Sequence, residues 1–371
     1  MVFSYAALRR FPDVEAPNLQ AWDATDELLV QHALAAGVAG EEIAIVGDEY
    51  GAITLALADA GLAGLRVHQD LATGRRALAR NAEALGLAGF RSHELEASLF
   101  EGARLVLLQL PKSLAELAEI TDAVARWAAP EVTLIAGGRV KHMTLTQNEV
   151  LARSFEHVQP QRAERKSRLI VASSRREVSA SPPFPVTARI EVPGRDELLT
   201  VVAHRGAFAG AKLDIGTRVL LEVLVAAGTG ATVVDLGCGT GALAATYALT
   251  HPEARVIATD RSAAAVASAR ATMHANGAIV DVAHDDAGSE IPDQSVDLVL
   301  LNPPFHLGAS IHTGAATRMF EAAARILKPG GQLLTVYNSH LAYKHELSRV
   351  VGASEQLHRT SKFTVTRSIR H

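Results

Sequence analysis

Ala231-Thr232-Val233-Val234-Asp235-Leu236-Gly237-Cys238-Gly239-Thr240-Gly241 decides how this chain folds. The β-branched run at its start reads as a buried strand. The glycines behind it read as a turn, and a helix follows. Strand, glycine turn and helix in that order open a parallel α/β unit. Glycine lets backbone approach a ligand closely, and the helix N-terminus favours an anionic group. The candidate ligand-side residues of this stretch are Asp235, Gly237, Gly239 and Gly241. Taken alone, such a loop fits any dinucleotide or nucleoside binder.

Working downstream, a strand at 255–258 ends at Asp260, where a carboxylate can accept both hydroxyls of a ribose. After a helix at 262–275, a strand at 280–283 ends at Asp285-Asp286, and Asp286 is placed to meet the edge of an adenine. The apolar run 296–301 reads as a buried strand broken only by Asp297. It stops at Asn302-Pro303-Pro304-Phe305-His306, because neither proline can donate to a sheet ladder. Asn302 brings a side-chain acceptor and donor, the Pro303 carbonyl is a second acceptor, and Phe305 is a flat apolar face. Two acceptors and a ring suit the exocyclic amino group of a planar base, so Asn302, Pro303 and Phe305 are the candidate catalytic residues. His306 is given no role, since a lone histidine beside a site more often serves structure. A helix at 315–327, a turn Lys328-Pro329-Gly330-Gly331, a strand at 332–337 and another at 363–367 complete this half.

The upstream half repeats the order of elements. Strands are expected at 42–47, 65–68, 104–110, 132–136 and 168–172, with helices from 19 towards 36 and at 52–60, 73–85 and 114–128. Alternation of this kind implies mostly parallel sheets with helices on both faces. Residues 46–51 can be laid over 236–241, and 105–112 over 298–305. The first copy then has Ile45 for Asp235, Glu49 for Gly239, Gln109 for Asn302 and Lys112 for Phe305. It keeps the strands and loses the chemistry. Two domains are expected, 1–178 and 187–371, joined by a serine- and proline-rich linker at 179–186. A hairpin from 186–192 and 198–202 introduces the second.

Composition narrows the class. The 371 residues are 48% hydrophobic and 20% charged, as in an ordinary soluble globular chain. A net charge of −4 gives no global attraction to nucleic acid, so any such contact must be local. One cysteine, Cys238, excludes an internal disulfide and a cysteine-based metal cluster, and no His/Cys/Asp spacing suggests a metal site. The N-terminal stretch has no long apolar core of a signal peptide, and the greasiest run, 219–234, is too interrupted to span a membrane. The expectation is a cytoplasmic protein with no metal and no membrane, a monomer favoured.

The glycine loop, the two acidic strand ends and Asn302-Pro303-Pro304-Phe305 together resemble the class I S-adenosylmethionine-dependent methyltransferases of the amino-methylating branch. With Leu213-Asp214-Ile215-Gly216, Leu221-Glu222 and Ala275-Asn276-Gly277, the chain resembles the bacterial ribosomal RNA guanine-N2 methyltransferases. Residues 19–27 look like the first domain of the member acting on large-subunit RNA. The resemblance covers nearly the whole chain and is thinner over 86–104. It implies two tandem Rossmann-like domains, the N-terminal one degenerate and kept for docking RNA. It also implies S-adenosylmethionine as cofactor and guanine N2 of ribosomal RNA as methyl acceptor. Asp214 becomes a candidate cofactor contact, with a helix N-cap as the competing reading. Family members usually carry Phe-Ser before the Leu-Asp-x-Gly element, whereas here Phe208 is followed by Ala209, so no role is carried onto Ala209.

Arg139, Lys141, Arg153, Arg162, Arg165, Lys166, Arg168, Arg175 and Arg176 crowd the end of the first domain. Arg162, Arg165, Lys166 and Arg168 are the candidate phosphate contacts there. Two other readings stay open: an amino-methyltransferase acting on a protein glutamine or on adenine in nucleic acid, and a noncatalytic ribosome-assembly or RNA-binding factor.

Overall fold

The computed structural model of the chain describes residues 3–227, 230–303 and 313–371. The chain divides into two compact units, Met1–Pro183 and Phe184–His371. The first holds seven strands: β1 (Ile43–Val46), β2 (Leu65–His68), β3 (Phe90–Ser92), β4 (Leu105–Gln109), β5 (Thr133–Arg139), β6 (Phe155–Pro160) and β7 (Ser167–Arg175). They form one sheet in the order β3-β2-β1-β4-β5-β7-β6. Strands β3 to β5 pair in parallel, and β7 runs antiparallel to both β5 and β6. Every residue of β1 is buried, which is what a central parallel strand with helices over both faces requires. Its alternate side chains serve two cores. Ile43 and Ile45 pack with Leu29, Leu55 and Leu107 on one face. Ala44 and Val46 pack with Val106, Leu117 and Val124 on the other.

The second unit opens with an antiparallel pair, β8 (Val186–Ile190) and β9 (Leu199–Ala203). Its main sheet contains β10 (Thr232–Leu236), β11 (Arg255–Asp260), β12 (Asp281–His284), β13 (Val296–Leu301), β14 (Leu327–Asn338), β15 (Ser354–Arg359) and β16 (Phe363–Ile369). Their order is β12-β11-β10-β13-β14-β16-β15. With strands counted within each sheet, this is the permutation of the first unit, down to the antiparallel last pair. The pairing register also matches: Val46 faces Leu108 in one sheet where Leu236 faces Leu301 in the other. These are the pairs that the overlay of 46–51 on 236–241 and of 105–112 on 298–305 requires.

The turn expected at Lys328-Pro329-Gly330-Gly331 is instead part of β14, which runs unbroken from Leu327 to Asn338. Val296 pairs with Leu327 and Leu298 with Gln332, so the extra residues are taken up as an irregularity inside the strand. Gly330 supplies the positive φ of +79° that this needs. Among the further elements that went unread are β3, β6, β15 and the helices Ala97–Phe100, Leu145–Ser154 and Lys344–Val350. No helix among the described residues is long and apolar enough to cross a membrane.

Candidate active site

The site lies at the carboxyl ends of β10, β11 and β13, where backbone leaves the sheet of the second unit. Gly237, Gly239 and Gly241 all take left-handed conformations, at φ +80°, +55° and +78°. The turn is tied to β11 by bonds from Gly237 N and Cys238 N to the Thr259 carbonyl, at 2.8 and 3.0 Å. Gly241 and Gly239 have different reasons to lack a side chain. A Cβ on Gly241 would sit 2.7 Å from Met273 Cε and 3.1 Å from Ala269 Cα, so this glycine lets the helix Ala242–Thr250 pack. A Cβ on Gly239 would meet nothing within 4 Å. Packing does not demand that glycine; its bare side faces open space in the cavity.

Asp260 closes the loop from the neighbouring strand. Its Oδ2 accepts from Gly239 N and its Oδ1 from Ser262 N, both at 2.9 Å. The same carboxylate lines that cavity. Asp235 is 2% exposed, and its Oδ2 accepts from Ala244 N at 3.0 Å inside the following helix. Burial pushes its carboxyl up to about 7, and the neighbouring charge of Asp260 adds to the rise. Asp286 is gripped by the Arg318 guanidinium.

Asn302 sits where β13 ends. Its amide nitrogen donates to Asp214 Oδ2 at 2.9 Å and to Thr217 Oγ1 at 3.0 Å. Since a carboxylate only accepts, this fixes which way the amide points. Asn302 Oδ1 is left buried with no hydrogen-bond partner among the described residues. The same Asp214 oxygen accepts from Thr217 N at 3.1 Å, so Asp214 both caps its helix and orients Asn302. Gly216 makes room for the pair: a Cβ there would lie 3.0 Å from Asp214 Oδ2 and 3.2 Å from Asn302 Oδ1.

A cavity of about 230 Å³ brings together Gly237, Gly239, Asp260, Asp286, Asn302 and Pro303, with Phe208 and Arg318 on its wall. A smaller one of about 50 Å³ adds Asp214, Thr217 and Asp235 beside Asn302. Gly241 underlies the loop and lines neither. Phe305, with Pro304 and His306, lies outside the described residues. Thr217, Gly216, Arg318 and the 62% exposed Phe208 were missed as site residues. Gly216 and Phe208 stood in or beside the Leu-Asp-x-Gly element without being given a role, and Thr217 had a readable signal, three positions after Asp214 at the start of a helix. Among the described residues no group of three or more His, Cys, Asp or Glu could hold a metal ion.

The basic set of the first unit divides along β7. Arg162, Arg165 and Lys166 are exposed near its start, and Arg168 is half-buried. Arg175 and Arg176 lie at its far end, roughly 25 Å away at ~3.3 Å per residue. These two turn inward: Arg175 donates to the Ala125 carbonyl and Arg176 to the Ala152 and Phe155 carbonyls. Arg165 is ion-paired to Glu27. Arg162 and Lys166 are left as exposed cations.

Comparison with known proteins agrees with this architecture. Residues 2–176 match the RLMG N-terminal domain model and residues 198–367 the methyltransferase small domain model. A solved T. thermophilus 16S rRNA N2 methyltransferase in complex with AdoMet and guanosine superimposes with a TM-score of 0.77 at 21% identity. That match covers 96% of this chain and 97% of the other, and at such identity it speaks for the fold. The ribosomal RNA large subunit methyltransferase G of Streptomyces avermitilis is 35% identical over 98% of this chain and 97% of its own length. That of Shewanella amazonensis is 32% identical over 98% and 96%. The chain belongs to the ribosomal RNA large subunit methyltransferase G family.

Proposed function

We propose that this enzyme transfers a methyl group from S-adenosylmethionine to the exocyclic N2 of a guanine in large-subunit ribosomal RNA. A cytoplasmic location goes with that substrate. The observation that carries the reading is the Oδ1 of Asn302, buried with no partner among the described residues and held in place by Asp214 and Thr217. A buried acceptor without a donor is costly unless a ligand completes it.

The residues present fit the cofactor. Gly239 leaves space that a side chain would fill, and Asp260 brings a carboxylate, an acceptor for ribose hydroxyls, to the wall of the same cavity. Asp286, steadied by Arg318, lines the cavity with Gly237 where a base edge can be met, and Asp214 lines the smaller cavity beside Asn302. S-adenosylmethionine, when bound, supplies an electrophilic methyl group on a sulfonium.

Everything else is the work of the chain. The guanine amine is a poor nucleophile because its lone pair conjugates with the ring. Asn302 Oδ1 accepts one N–H of that amine and the Pro303 carbonyl accepts the other. The lone pair is thereby turned out of conjugation, towards the methyl donor. Orientation of this kind supplies a substantial share of a barrier reduction. No strong base is required, because the nitrogen becomes acidic as it gains the methyl group and can release its proton to solvent. Phe305 supplies a face on which a base drawn out of its helix can stack.

The test is methyl transfer from labelled S-adenosylmethionine to ribosomal RNA isolated from a strain lacking the gene, followed by digestion and mass spectrometry. N2-methylguanosine at one position is expected. Label on adenine, on protein or nowhere would overturn the reading.

A further inference from the structure

Beside Asn302, the same end of the second sheet carries a groove, running from β14 across β16 to β15, that the proposed chemistry does not use. Strands β13 and β14 are parallel, so Asn302 and Asn338 leave the sheet on one side. Strand β16 begins there and β15 ends there, since Asn338 faces Phe363 and Arg359 faces Thr364. A cavity of about 560 Å³ opens at this corner, lined by Ser339, Lys344, His345, Arg359 and Thr364 among others. Lys344, His345, Arg359 and the nearby Lys362 are all exposed.

The charge here is unbalanced for a specific reason. Residues 338–362 contain two acids, Glu346 and Glu355. Glu346 is turned to the Thr317 hydroxyl, and Glu355 is taken by Arg367. Elsewhere in this unit Arg318, Arg325 and Lys328 each face a carboxylate. Among the described residues Lys344, Arg359 and Lys362 face none. Hydroxyls of Ser339 and Thr364, 2.9 Å apart, stand beside the cations. Several unpaired cations with hydroxyl donors at hand suit a chain of phosphodiesters.

We infer that this groove binds the RNA backbone leading to the methylated nucleotide, an inference that rests on the proposed substrate being RNA. The spacing agrees. The groove's lining starts one strand-to-strand step of ~4.8 Å from β13 and ends at the third, so it lies within about 14 Å of Asn302 along the sheet, a span that a few nucleotides cover. A base held at Asn302 therefore has its flanking phosphates within reach of Lys344 and Arg359.

The experiment compares the full-length protein with a Lys344→Gln/Arg359→Gln double variant, using ribosomal RNA that lacks the modification. Binding is measured against salt concentration, and methyl transfer is measured beside it. Loss of two phosphate contacts should flatten the slope of log K against log salt by about 1.4 to 1.8. The KM for RNA should rise about ten-fold with kcat little changed, the signature of lost uniform binding. Cofactor affinity by calorimetry should be unaltered, which shows the unit folded, and Lys344→Arg with Arg359→Lys should restore the slope. Unchanged RNA affinity and slope in the double variant would overturn the inference and leave the groove to an acidic protein surface. Failure of the wild-type protein to methylate RNA would instead strike the proposed function, because the salt slope is read without catalysis.

Discussion

Asn302 can offer its acceptor because Asp214 and Thr217 occupy its donor, and they can do so because residue 216 has no side chain. Gly216→Ala should therefore separate stability from activity. Alanine is the better helix former by up to ~1 kcal/mol, so thermal stability should hold or rise. The new methyl group would press on Asp214 Oδ2 and Asn302 Oδ1, so kcat should fall on the order of ten-fold through misplacement of the reacting amine. Calorimetric melting and single-turnover methyl transfer on one preparation would check both. Asp235 supplies a pH test. Its carboxyl titrates at about 7 when folded and near ~4 when unfolded. Between those values the folded protein binds the extra proton, so this group's contribution to stability is present at low pH and fades as pH rises to 7. Asp235→Asn keeps an acceptor for Ala244 N and removes the titration. The variant's advantage over the wild type should grow by roughly 2 to 3 kcal/mol between pH 5 and pH 8. Equal pH dependence in the two melting series would show that Asp235 is not the group responsible.

At the scale of elements, strands with a buried face were legible and most edge strands were not, β12 being read from the alternation around it. The run 296–301 reads as a strand from its apolar residues and is one to the residue. Strand β15, Ser-Glu-Gln-Leu-His-Arg, has no buried residue, and β6 buries only Phe155. Each is held by backbone pairing with its inner neighbour, which leaves little mark on side-chain pattern. The Lys-Pro-Gly-Gly stretch carries turn residues that serve a strand irregularity, because pairing with β13 resumes beyond it. Site residues brought by neighbouring parallel strands, such as Asp260 and Asn302, could be found from their positions at strand ends. Arg318 could not, since it arrives from a helix 32 residues beyond Asp286. The basic stretch of the first unit yields an element-scale prediction. With Arg165 balanced by Glu27, reversal of Arg162 and Lys166 to Glu should weaken RNA binding and flatten its salt dependence. Arg175→Gln should leave both unchanged, since that side chain is spent on the Ala125 carbonyl.

Across the whole molecule, one architecture is built twice with its polar joints rewired. In the second unit Asp235 caps the helix after the glycine turn at Ala244 N. In the first, where Ile45 stands for Asp235, the cap at the equivalent Thr54 N comes from Asp48 in the loop itself, at 2.8 Å. Asp260 accepts from Gly239 N, while its counterpart Gln69 donates to the Asp48 carbonyl at 2.9 Å. Gln109 donates to Asp26 much as Asn302 donates to Asp214. The joints that hold loop to strand were kept in new residues, while Glu49 took the place of the glycine that faces open space. The second unit keeps Gly239 at that place, open to the cavity. The most direct measurement compares Asn302→Ala with Gln109→Ala in the full-length protein, with melting and cofactor affinity confirmed first. Transfer to RNA should fall ~100-fold or more in Asn302→Ala, as when an oriented polar group at a reacting centre is removed, and kcat should be preserved in Gln109→Ala. Wild-type turnover in Asn302→Ala, or an equal loss in Gln109→Ala, would contradict the account.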